Sequence, residues 1–131
     1  MVSHTAVVDG IAMRWEEEGD GLPLVLVHGI PTCPALWRHL VPRITGARCL
    51  AWEMVGYGGS IPEGRSRDIS IARQADHLLA WLNTIGVERA VFAGHDLGGG
   101  VRWPARRSIL DEAALACWTS ISNTYSAGRW P

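Results

Sequence analysis

The residues best placed to do chemistry are Gly94-His95-Asp96-Leu97-Gly98. They follow a short apolar run, Arg89–Ala93, and lead into a further glycine pair. A sharp strand-to-helix turn at such a junction exposes its central side chain, here Asp96. Glycine two residues to either side makes the turn possible, because the backbone is crowded there and a Cβ would clash. A carboxylate at this place faces the amides and the positive dipole end of the following helix, which favour its charge. It also stands at the carboxyl end of a parallel strand, where open α/β sheets build their sites. The plainer alternative is an N-capping aspartate without chemistry.

The elements that must carry this turn are readable from pattern. Thr5–Val8 and Ile11–Glu17 alternate around Asp9-Gly10 and predict an antiparallel hairpin. Leu24–Val27 is continuously apolar, as in a strand buried on both faces, and ends at His28-Gly29. Pro34 opens a predicted helix through Ile44, Cys49–Trp52 reads as the next strand, and Gly56–Ser60 as an irregular loop. The clearest helix is Ile71–Ile85, with Ile71, Ala75, Leu78, Leu79, Leu82 and Ile85 in one stripe, Ser70 as N-cap and Gly86 just past the end. Strands alternating with helices predict an α/β fold: a leading hairpin, then a mostly parallel sheet with flanking helices.

Three stretches together resemble the α/β-hydrolase family, in the branch with an aspartate nucleophile that includes haloalkane dehalogenases and epoxide hydrolases. They are His28-Gly29-Ile30-Pro31, Gly56-Tyr57-Gly58-Gly59-Ser60 and Gly94-His95-Asp96-Leu97-Gly98-Gly99, in the family's order and spacing, with Trp37-Arg38 in register after the first. The match covers about residues 5 to 101, the N-terminal half of such a fold. The resemblance implies that Asp96 attacks an sp3 carbon of a small apolar substrate, displacing halide or opening an epoxide, to form an alkyl ester. A carboxylate needs no base for that step, being ionised at neutral pH. Water activated by a histidine then attacks the ester carbonyl, and the oxyanion lies against the backbone N–H groups of Ile30 and Leu97. Gly29, Gly94 and Gly98 support the motif, as do His28 and His95. His28 is expected to brace its loop through hydrogen bonds, Glu53 to order its own loop, Trp37 to be core or pocket wall, and Cys33 to be a small filler.

The chain also departs from the family pattern. The family's third acid and catalytic histidine come from later strands, whereas all five histidines here lie at or before Asp96. His95 is no substitute, since neighbours at a strand end point to opposite faces. Leu97 stands where the family's dehalogenases and many epoxide hydrolases carry tryptophan, and Ile30 where many dehalogenases carry asparagine; both departures disfavour dehalogenation. After Val101 the character changes: residues 102–131 hold four arginines, three tryptophans by Trp130, and a Ser/Thr/Asn/Gly-rich stretch. The expectation is a fragment comprising residues 1–101 of the hydrolase domain and an atypical tail, out of frame or disordered, over 102–131. Such a truncated chain would be inactive or alkylated once at Asp96; the alternative is a non-catalytic binding or interaction protein on the same scaffold.

Composition narrows the rest. The 131 residues are 47% hydrophobic, with 12 basic residues, all arginine, against 13 acidic and a net charge of −1. That balance gives no field to gather nucleic acid or an anionic membrane. Cys33, Cys49 and Cys117 are three, with no paired spacing, and suggest neither a disulfide framework nor a metal site. No apolar run is long enough for a membrane helix and no signal-peptide pattern opens the chain. The expectation is a cytoplasmic protein without cofactor or metal, whose partners are a small apolar substrate if active and, through an unpaired apolar sheet edge beside Arg89–Ala93, other copies of itself.

Overall fold

A computed structural model describes residues 1–101. The tail expected over 102–131, with its reading-frame expectation, lies outside the described residues. In order along the described residues come β1 (Val2–Val8), β2 (Ile11–Glu18), β3 (Leu22–Val27), β4 (Ala47–Trp52), a one-turn α1 (Ile61–Gly64), α2 (Ile71–Thr84) and β5 (Val91–Gly94). One five-stranded sheet runs in the order β1-β2-β4-β3-β5. β3 is parallel to both β4 and β5, and β2 is antiparallel to β1 and β4, so the sheet is mixed.

Local chemistry accounts for much of this. Asp9 and Gly10 both have positive φ, 51° and 75°, the pair a tight I′ hairpin turn requires. In β3 and β4 successive side chains alternate between two cores, as period-2 geometry demands. Val25, Val27, Leu50 and Trp52 join one cluster. Leu26, Cys49 and Ala51 join the other, with Trp37 and Val41. Trp37 is thus core. On the first face α2 lays down Ala75, Leu78, Trp81 and Leu82, and the Trp81 ring stacks on Trp52 at 6.1 Å. Ser70 caps this helix by accepting from the Arg73 amide, and Gly86 follows its end with φ 71°.

Two sequence expectations are corrected. The helix expected from Pro34 to Ile44 is two short 3-10 turns, Pro34–Trp37 and Val41–Arg43. Pro42 has no N–H to give and its ring obstructs the carbonyl four residues back, so only i→i+3 bonds such as Leu40 N to Trp37 O close. Ile71, expected in the buried stripe of α2, is 38% exposed, and Trp81 is buried instead. Among the described residues β5 has a strand on one side only, and no helix is long and apolar enough to cross a membrane.

Candidate active site

The carboxyl ends of β3, β4 and β5 stand side by side in the sheet, and each releases one of the three motifs. After β5 the chain turns at Asp96 into a helix whose described part is 97–101. Asp96 is exposed and sits at φ 52°. That left-handed conformation costs an ordinary residue about 1 kcal/mol or more and persists only where the surroundings impose it.

Contacts at three glycines show how it is imposed. A Cβ on Gly94 would come within 2.5 Å of the Gly98 carbonyl, and one on Gly98 would run into the Val27 carbonyl oxygen. A Cβ on Gly29 would stand 2.5 Å from the Asp96 Cβ. The loop after β3 and the turn at Asp96 therefore press directly together. The His95 amide fastens the turn to β3 by donating to Val27 O at 3.0 Å, and Gly98 N closes it on His95 O at 2.9 Å.

The amide of Ile30 donates to Asp96 Oδ2 at 3.2 Å. No hydrogen bond joins the Leu97 amide to the resting carboxylate, so one of the two expected donors is already engaged. The Ile30 amide belongs to the peptide unit of Gly29, whose carbonyl oxygen is held from the other side by three donors. These are the Thr32 amide at 2.9 Å, the Thr32 hydroxyl at 2.8 Å and His28 Nδ1 at 3.0 Å. The side chain of Ile30 is 42% exposed beside this site. The Ile30-Pro31 bond is cis.

His28 is fully buried. Its Nε2 accepts the Met54 amide at 3.0 Å, so the ring joins the end of β3 to the loop after β4, the bracing role expected of it. Burial pushes the imidazole below its ordinary value, outweighing the Gly29 bond and the nearby Glu53 charge, which act in the opposite direction. Glu53 does order its loop: Oε2 accepts Gly59 N at 3.1 Å and Oε1 accepts the Ser60 hydroxyl at 2.8 Å. Cys33 packs against Gly58 in the same place, where a glycine Cβ would meet it at 2.9 Å.

Sequence reasoning missed Gln74. Buried on α2, it accepts Val55 N at 3.1 Å and donates to Val55 O at 2.6 Å, clamping the loop beyond Met54. Its signal was a polar residue beside Ala75 and one turn before Leu78 in an otherwise apolar stripe. Among the described residues no cluster of three or more His, Cys, Asp or Glu side chains could hold a metal ion.

A family model described as alpha/beta hydrolase fold matches residues 23–103. Epoxide hydrolase A of Mycobacterium tuberculosis is 36% identical over 117 residues, covering 86% of this chain and 36% of that protein. A haloalkane dehalogenase of Agrobacterium fabrum is 31% identical over 100 residues, covering 74% of this chain and 32% of that protein. The crystal structure of the haloalkane dehalogenase DbeA-M1 loop variant from Bradyrhizobium elkanii superposes with a TM-score of 0.70 at 31% identity, over 83% of this chain and 37% of that one. The chain spans about a third of the length of these curated relatives.

Proposed function

The chain belongs to the alpha/beta hydrolase fold family, and from that premise we propose that Asp96 is a nucleophile toward a small apolar epoxide. The hydrogen bond from the Ile30 amide to Asp96 Oδ2 carries this reading. It makes the two carboxylate oxygens unequal. Oδ2 is held by a backbone donor, while Oδ1 has no hydrogen bond among the described residues and is the attacking atom. Oδ1 bonds to the less hindered epoxide carbon, that carbon's C–O bond breaks, and the alkoxide takes a proton from water. Oδ2 then becomes the carbonyl oxygen of the ester. When water adds to that carbonyl, the negative charge develops on the atom already facing Ile30 N–H, which is where donors lower a barrier. One such donor is worth about 100-fold or more in rate.

Epoxide is favoured over alkyl halide by the side chains next to the nucleophile. A departing halide carries its charge away and needs N–H donors, and the residues flanking Asp96 from the two loops are Ile30 and Leu97. An epoxide oxygen stays tethered to the product. Ester hydrolysis needs a base near Asp96, and among the described residues the hydrogen bond its carboxylate receives is from the Ile30 amide, so a stoichiometric ester is the expected product.

The test is intact-mass and peptide analysis after exposure to a small terminal epoxide and, separately, to the matching alkyl bromide. The expected result is one adduct on the Asp96 peptide, faster with the epoxide, cleaved by hydroxylamine and absent from Asp96→Asn. A hydroxylamine-resistant adduct on Cys33, or none on Asp96 in the folded protein, would remove the proposal.

A further inference from the structure

We propose that His28 is a positioning residue whose neutral ring holds the oxyanion-hole peptide in place, so that acid releases the Ile30 amide from Asp96. The inference deepens the reading of Asp96 as nucleophile and rests on it for its catalytic meaning. Its physical content is independent of that reading.

Two hydrogen bonds of opposite polarity fix the ring. Gly29 O can only accept, so Nδ1 carries a hydrogen; Met54 N–H can only donate, so Nε2 carries none. Only the neutral Nδ1–H tautomer satisfies both. A second proton would set an N–H on Nε2 against the Met54 N–H 3.0 Å away. The side chain is fully buried, so no solvent is at hand to separate them. Ring or loop must then shift.

The shift reaches the site through a single peptide plane. Its oxygen, Gly29 O, is the atom His28 holds, and its hydrogen is the Ile30 N–H donated to Asp96. Moving the ring leaves Thr32 alone to orient that plane. The ionisable groups around the ring are few. Glu53, preceding Met54, favours the charged ring; Tyr57 meets it edge-on at 6.1 Å. From the nucleophile turn, His95 and Asp96 pack against Gly29. Burial outweighs Glu53 and keeps the ring neutral near pH 7.

The test is amide and ring-nitrogen NMR of the full chain through an acid titration, made on Asp96→Asn so that the carboxylate itself does not titrate. The Ile30 and Met54 amide signals are expected to move with the His28 ring nitrogens, at one midpoint below about 6.5, the value of a free imidazole. Val7 and Ala12 amides of the hairpin should stay still over that range. Adding His28→Gln, which keeps an acceptor but cannot titrate, should abolish the midpoint. A stationary Ile30 amide while His28 titrates would overturn the proposal, and so would an unchanged midpoint in His28→Gln or simultaneous loss of all signals by global unfolding. If His28→Gln does not fold, the first titration decides alone. Should no ester form on Asp96 at any pH while Ile30 still follows His28, the hydrolase reading fails and the latch stands.

Discussion

Gly98 and Gly100 lie two residues apart in the helix that follows the turn at Asp96, and replacing each by alanine should move stability in opposite directions. Helix propensity alone favours both substitutions by about 0.5–1 kcal/mol. At Gly100 the new Cβ would stand 3.4 Å from Ile71 Cδ1 and 3.5 Å from its Cγ2. Those are ordinary contacts with a flexible side chain, so Gly100→Ala should raise Tm by about 2–8 °C, taking about 4–8 °C per kcal/mol for a domain of this size. At Gly98 the Cβ would collide with Val27 O and stand 2.5 Å from His28 O. Both atoms are backbone at the end of β3 and cannot rotate away. Overpacking of this kind costs about 1–3 kcal/mol, and the rigidity of the neighbours argues for the upper end. Less the propensity gain, Gly98→Ala should lose about 2 kcal/mol, or about 8–16 °C in Tm. Thermal unfolding followed by far-UV circular dichroism, checked by urea titration, measures both. A Gly98→Ala protein as stable as the parent would refute the close packing of the turn on β3 and, with it, the account of how Asp96 is held at positive φ.

Gln74→Leu leaves the buried amide and carbonyl of Val55 without partners and should cost about 2–4 kcal/mol, read as a lower urea midpoint. The His28 shift fixes a pH dependence. The ring is less basic folded than unfolded, so the unfolded chain binds more protons below about pH 6.5. Its contribution to stability should be complete above that pH and fall as acid is added, measured as unfolding free energy in urea at pH 5.5 and 7.5. β5 is an edge strand among the described residues, and a lysine on such a strand blunts pairing. Val91→Lys should therefore lower the average sedimentation coefficient at high concentration if self-association runs through that edge; no change would place it elsewhere.

What the sequence disclosed was local. The Asp9-Gly10 turn, the Ser70 cap and the glycines around Asp96 each follow from conformations only a few residue types adopt, so spacing alone reveals them. The exposed turn that carries Asp96 was legible because its residues stand between glycines at a strand end; the Ile30 amide facing it was implied only by the family resemblance. What stayed hidden depends on distant partners. Nothing near His28 announces that its acceptor nitrogen meets Met54, 26 positions later. Gln74 looks like a flaw in an apolar stripe until Val55 is seen opposite it. The split at Pro42 was signalled by the proline itself. Burial of Trp81 in place of Ile71 was not, because it depends on Trp52 across the core.

The strand order has a consequence for how the molecule assembles. β2 and β3 are joined by only three residues, Gly19 to Gly21, yet β4 lies between them. That bridge must span two strand spacings, roughly 9.6 Å, so it runs stretched. It lies hard against the start of β4, where a Cβ on Gly21 would come within 2.5 Å of Gly46 O. Neither β2 nor β3 pairs with the other: both bond to β4, so Ala47–Trp52 is what joins the hairpin to the parallel strands. Those pairings join residues far apart in the chain, Glu18 with Cys49 and Leu22 with Ala47, the kind of contact that governs folding rate.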